Sequence, residues 1–405
     1  MAYSINIETD LRPAYYDEFH CLAAGCRLSC CKGWRISFNK KDYLSLKRQE
    51  GSDDLNARLA DGLHRIRKGP LTEIHYGEFD MSTDDCPLLR EDCLCALQME
   101  KGHDALPVVC RTFPRGQSYQ ASGCLERSLS PACEGVLELL WNLAEGIEFR
   151  SDPLPKEEKK KLIVHDGQPL APFFPHIREW CVDMLQDRRY PLPERILRMG
   201  LALRELADGK TDPAAWLVRA QALKEQTEPV MPHQDENAAL VMLISNHYRT
   251  VMQIQVVGKD FSDIPQELVC GLGVTRSEHT GQTTFPTEPY QKARARFEEE
   301  FRDRDYFMEN LMVALLFHLH LPVLSSGEEL WKGYVNFCNL YSFYRFMAVM
   351  SCREGVSDYK KELFRLMVYA SRSLIHNGAR QSSLRDELFQ NDSATLAHMA
   401  ILLGG

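Results

Sequence analysis

Ten of the chain's fourteen cysteines fall in its first third: Cys21, Cys26, Cys30, Cys31, Cys86, Cys93, Cys95, Cys110, Cys124 and Cys133. Thiols gathered by a fold either oxidise in pairs or bind a soft metal, and the compartment decides which. The opening residues Met-Ala-Tyr-Ser-Ile-Asn lack the basic start and apolar run of a secretory leader, so a cytoplasmic metal protein is expected. The expected metal ligands are Cys21, Cys26, Cys30, Cys31, Cys86, Cys95, Cys110 and Cys133. Cys93, two positions before Cys95, reads as a bystander. Cys124 reads as a small buried residue. Cys181, Cys270, Cys338 and Cys352 stand singly in apolar surroundings and read as core thiols.

Spacing narrows the metal. The segments Cys21-x4-Cys26-x3-Cys30-Cys31, Cys86-x6-Cys93-x-Cys95, Cys110-Arg-x-Phe-Pro-Arg115 and Ser128-x4-Cys133 are irregular, and no H-x3-5-H accompanies them. A structural zinc site shows regular knuckles and takes four ligands. Short Gly- and Pro-bearing loops, including Cys86-Pro87, suit the wrapping of an iron–sulfur cluster, 4Fe-4S by preference, with zinc as the alternative metal. Arg111 and Arg115 flank one of these loops. They could neutralise a negative cluster or bind a cofactor carboxylate, or they could be ordinary surface arginines.

The elements around these segments are mostly helical, so the fold class expected is mainly α: an irregular cysteine-rich metal-binding N-terminal part followed by a helical domain. Residues 1–150 form the cysteine-rich region, with a helical insert over 41–68. Residues 151–175, with five prolines and a lysine run, form a connector, and 176–405 the helical domain. Within it, apolar residues recur at three and four over 177–187, 192–208, 213–227 and 238–256. Further helices are expected over 290–320, 328–352, 358–375 and 383–403. A net charge of −9 argues against a nucleic-acid binder. No apolar run reaches the ~18 residues that span a bilayer, so no membrane partner is expected.

Taken together, the segments resemble the flagellin lysine-N-methylase (FliB) family. The carrying residues are Tyr16-x2-Phe19-x-Cys21, Cys26-x3-Cys30-Cys31-x2-Trp34-x-Ile36, Cys86-Pro-Leu-Leu89, Leu94-Cys95, Cys110-Arg-x-Phe-Pro-Arg115 and Ser128-Leu-Ser-x-x-Cys133-Glu134. Phe307-Met-Glu-Asn310 and Tyr341-x-Phe-Tyr-Arg345 are similar to the family's C-terminal half. One element departs: Ser-Pro-Ala-Cys133-Glu134 stands where the family form is Ser-Cys-Pro-Glu. The resemblance implies methyl transfer from S-adenosylmethionine to lysines of flagellin, by an enzyme carrying an iron–sulfur cluster. No G-x-G-x-x-G follows a strand here, and the C-x3-C-x2-C radical signature is missing, so the methyl donor's binding mode and the catalytic residues stay open. So do the oligomeric state and two rival readings: a metal-stapled interaction scaffold and an iron–sulfur electron carrier.

Overall fold

The computed structural model describes residues 2–67, 73, 75–120, 122–165, 173–210, 212–232, 235–254, 258–323, 325–376 and 386–404. It is 55% helical and 12% strand, hence mainly α. Part of the expected connector (166–172) and the start of the last expected helix (383–385) lie outside the described residues, as does the end (255–256) of the helix expected over 238–256.

The N-terminal part is more ordered than its sequence suggests. It opens with β1 (Ala2–Ile7) and β2 (Thr9–Pro13). A small lobe follows: β3 (Ser37–Phe38), α1 (Lys40–Lys47), α2 (Asp53–Gly62), β4 (Leu63–Arg65), β5 (Gly77–Phe79), α3 (Ala96–Lys101) and α4 (Val108–Thr112). Then come β6 (Arg115–Tyr119), β7 (Cys124–Leu129), α5 (Glu134–Asn142), β8 (Phe149–Pro153) and β9 (Lys160–His165). Four strands pair in the order β6-β7-β2-β8, with β2 parallel to β7 and antiparallel to β8. β1 and β9 pair antiparallel, and the lobe holds β3-β5-β4. The helical insert is therefore two helices that end in a strand. Asn39 and Ser52 start them, each side chain accepting a backbone N–H three residues on.

The C-terminal part is α6 (Phe174–Leu185), α7 (Leu192–Ala207), α8 (Pro213–Glu225), α9 (Glu236–Gln253), α10 (Ile264–Leu272), the hairpin β10 (Thr275–Arg276) and β11 (Thr283–Thr284), α11 (Glu288–Glu300), α12 (Tyr306–His318), α13 (Gly327–Met350), α14 (Tyr359–Ala370) and α15 (Leu396–Leu403). α14 runs on through a π-helical turn, Ser371–Ile375. The long helix expected from Tyr290 breaks at Phe301, where Arg302–Arg304 form a 3-10 turn; its apolar half becomes the buried α12. α13 is buried along almost its whole length and is the axis of the core. One apolar cluster joins Tyr15, Leu129 and Leu137 of the N-terminal part to this core, while the lobe has a smaller core of its own around Phe38, Leu55, Phe79 and Leu97.

Candidate metal centre and its surroundings

The stretch Ser128-Leu-Ser-x-x-Cys133-Glu134 lies where β7 turns into α5, and every polar residue in it has a task. Ser128 Oγ lies 2.9 Å from His318 Nδ1 and Ser130 Oγ 2.9 Å from His376 Nε2, so the strand end is pinned to the helical part. Glu134 is buried at the first position of α5. Its carboxylate accepts from the N–H of Arg27 (2.7 Å), the N–H of Leu28 (3.0 Å) and Arg27 Nε (2.5 Å). A carboxylate at a helix N-terminus is favoured by the orphan N–H groups there. Here it also fixes the loop that carries Cys26.

The eight expected ligands divide into two neighbourhoods. Cys86, Cys31, Cys95 and Cys110 all pack on the lobe's small core. The Cys86 N–H donates to the Cys31 carbonyl (2.8 Å), and Leu89 and Cys95 form a bridge. Burial pushes the Cys86 thiol up to about 12, with Cys31 and Cys95 adding to the rise. Burial also raises Cys110, and the same three neighbours raise it further. The second neighbourhood holds Cys26, Cys30 and Cys133, with Cys21 at its exposed edge. Burial pushes Cys26 up to about 12, Glu134 and then Cys133 adding to it. Burial raises Cys133, and Cys21 contributes. The adjacent pair Cys30-Cys31 joins the two groups. The two neighbouring thiols act on one another, which raises Cys30 and lowers Cys31.

The Ala23 N–H donates to the Cys21 sulfur at 3.5 Å, and a donor of this kind stabilises a thiolate and tunes a metal held by it. At Cys86 and Cys133 the N–H groups of Leu89 and Val136 donate instead to the cysteine carbonyls (2.8 and 3.1 Å) and turn the chain back over the thiol. Among the described residues, no three His, Cys, Asp or Glu side chains are drawn together tightly enough to grip a single ion. All fourteen cysteines are free thiols.

Arg372, on the π-helical turn, reaches the second group from the helical part. It is buried, and it donates to the carbonyls of Leu28 (2.9 Å), Ser29 (3.1 Å) and Lys32 (3.3 Å). Its guanidinium lies 4.7 Å from the Trp34 ring and 5.3 Å from Phe261. Its Nε has no partner among the described residues. Among the described residues it has no carboxylate within ion-pair distance. Burial lowers its pKa; the thiols of Cys30, Cys26 and Cys133 act in the opposite sense. Gly258 abuts the same loop. At φ +93°, a Cβ there would meet Gly33 Cα at 2.5 Å, so only glycine allows the two backbones this close.

The remaining candidates fall as follows. Arg111 donates to the Asp104 carbonyl (3.1 Å). Arg115 donates to the Phe19 carbonyl (3.3 Å) and lies over the Phe19 and Tyr16 rings. Cys93 is exposed and Cys124 is half-buried in β7. Cys181, Cys338 and Cys352 are buried as expected, but Cys270 is exposed: it falls on the outer side of α10, between the buried Leu268 and Leu272. Sequence reasoning missed Arg372, His318 and His376 as partners of the cysteine segments. Glu134 was visible only as a neighbour of Cys133.

Residues 178–402 match the family model of the FliB lysine N-methylase C-terminal domain. The chain belongs to the FliB family. It is 31% identical to the lysine-N-methylase of Salmonella typhimurium over 171 residues, which is 41% of this chain and 39% of that protein. The lysine-N-methylase of Salmonella choleraesuis gives 31% over 172 residues, with the same shares. The flagellar biosynthetic protein FliU of Salmonella muenchen gives 32% over 138 residues, 33% of this chain and 78% of that one. The match thus spans about two fifths of the length of the two lysine-N-methylases. No solved structure matches the chain. The FliB domain is the part that supplies Arg372, His318 and His376 to the cysteine segments.

Proposed function

We propose that this chain methylates lysine side chains of a flagellar protein, flagellin by preference, with S-adenosylmethionine as methyl donor and a soft-metal centre, an iron–sulfur cluster, in its N-terminal part. The observation that carries the reading is the junction itself. The FliB domain puts a buried arginine, with no carboxylate within ion-pair distance among the described residues, against the loop that carries Cys26 and Cys30.

The residues fit such a centre. Thiols are the donors that soft metals select. An unpaired buried guanidinium is costly in an apolar interior, and thiolates facing it would supply the missing negative charge. The Arg372 Nε, without a partner among the described residues, and the Ala23 N–H on the Cys21 sulfur point the same way. Cys21, Cys26, Cys30 and Cys133 would hold one group, and Cys31, Cys86, Cys95 and Cys110 another. A bound centre of this kind supplies a Lewis-acidic or redox-active iron beside the reacting molecules.

The chain's own residues have three further tasks. Glu134 and Arg372 hold the Cys26–Lys32 loop from opposite sides. Trp34 packs edge-on against Phe113 and His376 and donates its indole N–H to the Cys30 carbonyl (2.6 Å), which sets an apolar surface beside that loop. The target lysine must lose its proton before attack, because the Nζ lone pair attacks the methyl carbon of the sulfonium: the N–C bond forms as the S–C bond breaks and a neutral thioether leaves. With a reference pKa near ~10.4, the ammonium needs a desolvating surface of this kind.

The test combines anaerobic purification, iron, sulfide and zinc analysis, and transfer of labelled methyl from S-adenosylmethionine to flagellin. Iron with sulfide, and loss of both colour and transfer in Cys26→Ser/Cys133→Ser, are expected. Undiminished transfer by metal-free protein would sink the role of the centre, and no transfer to any lysine-bearing acceptor would sink the activity.

A further inference from the structure

At the far end of α5 from Cys133, nine residues or about 13 Å along the helix, lies a cavity of about 520 Å³. It takes no part in the reading above. Its walls come from the end of α5, the start of α7, the turn between α11 and α12, and the middle of α13. Both C-terminal segments that carry the family resemblance line it: Phe307, Met308 and Glu309 from one, Tyr341 and Arg345 from the other.

The cavity is strongly cationic in a chain whose net charge is −9. Arg188, Arg195, Arg294, Arg302, Arg304 and Arg345 face only Glu298, Asp305 and Glu309. The pairing leaves positive charge over. Glu309 is shared by Arg188 (2.9 Å) and Arg195 (2.5 Å). Glu298 is shared by Arg294 (3.3 Å) and Arg345 (3.4 Å), with Arg294 also 3.5 Å from Glu236 outside the cavity. Among the described residues Arg304 donates to neutral acceptors alone, the Trp141 carbonyl (3.2 Å) and the Tyr306 hydroxyl (2.5 Å). Arg302 has no ion pair among the described residues. Trp141 packs edge-on against Phe301 and Phe307, both at 5.4 Å, and gives the cavity an aromatic wall.

A concave site with one sign of charge focuses its field on a ligand of the other sign, and guanidinium forks match carboxylate and phosphate oxygens. A flat ring suits the aromatic side, and the volume suits a ligand of drug size. We propose that this cavity binds a small molecule that joins two or more negative charges to a planar ring, the chemistry of a nucleotide. The sulfonium of a methyl donor gains nothing from such a field, so this is a second small-molecule site.

Calorimetric titration of the full holoprotein with magnesium-free ATP, with adenosine as the uncharged probe, tests it. One saturable ATP site is expected, with adenosine at least tenfold weaker. Arg302→Ala, at an exposed residue without an ion pair, should keep the melting temperature and lose severalfold in ATP affinity. Arg302→Ala/Arg345→Ala should lose tenfold or more. Cys26→Ser should bind ATP as the parent does, which separates this site from the thiol centre. Absent ATP binding at millimolar concentration, equal binding of adenosine, tighter binding of S-adenosylmethionine, or unchanged ATP affinity in the double variant would each overturn the proposal.

Discussion

Glu134 is the residue whose loss should be felt most sharply relative to its size. Its carboxylate is buried and accepts four donors: two backbone N–H groups of the Cys26 loop, Arg27 Nε and, at 3.6 Å, the Cys26 thiol. Glu134→Ala strands those two N–H groups, and an unmade buried hydrogen bond costs about 1–3 kcal/mol. It also strands Arg27, but that side chain is 44% exposed, so water recovers most of its charge and adds at most about 1 kcal/mol. The sum is roughly 2–7 kcal/mol, placed at the contact between loop and α5. Glu134→Gln keeps the shape and one acceptor oxygen, so about half that loss is expected. Urea unfolding followed by circular dichroism measures the difference, and trypsin cleavage after Arg27 reports the loop directly. A loss below about 1 kcal/mol in Glu134→Ala, with cleavage unchanged, would refute the argument that this carboxylate organises the loop.

Arg372→Met removes three hydrogen bonds to the Leu28, Ser29 and Lys32 carbonyls. Faster trypsin cleavage at Lys32 and lower metal content are expected, and unchanged values of both would show that the arginine is no latch. Gly200→Ala places a Cβ 2.1 Å from the buried Tyr334 ring where α7 crosses α13; ~1–3 kcal/mol or more should be lost in urea unfolding, and a neutral change would contradict the packing. His247 is buried, its Nε2 2.8 Å from Ser342 Oγ, and burial pushes its pKa down to about 3 from an ordinary value of 6.5. Between those values the unfolded chain holds the extra proton. Stability should therefore be complete above about pH 6.5 and fall on acidification, by up to ~1.4 kcal/mol per pH unit from this group. His247→Gln should flatten the dependence of the urea midpoint between pH 7.5 and 5, and an identical slope in the variant would rule the histidine out.

The helices were legible because their signals are local. α13 carries Ser326 as its cap, followed by Glu328 and Glu329, and then a dense apolar run. The four-stranded sheet was not legible. β2 is five residues with an ordinary polar mixture, and its partners lie at 124–126 and 149–153, beyond the reach of any periodicity. The break at Phe301 was hidden because Arg-Asp-Arg-Asp is as acceptable on a solvated helix as in a turn. The cysteine segments announced a candidate centre, but their division into two neighbourhoods did not show. Cys30 and Cys31 are adjacent in sequence, and only the fold sends one towards Cys133 and the other towards Cys86. Arg372 acts on a loop 340 residues earlier, and nothing in its own neighbourhood of sequence hints at that.

The pairing of residues 2–13 with 149–165 has a consequence for synthesis. β2 meets its first partner, β7, only about 115 residues after it is made, and β1 waits for β9 some 150 residues later, a delay of roughly 10–30 s at ordinary elongation rates. The small lobe emerges within that interval and draws on contacts within its own segment. Its helices and thiols can thus gather before the clasp beneath them closes, and a newborn chain stalled before residue 149 would have β7 beside β2 but neither β8 on the other side of β2 nor any partner for β1.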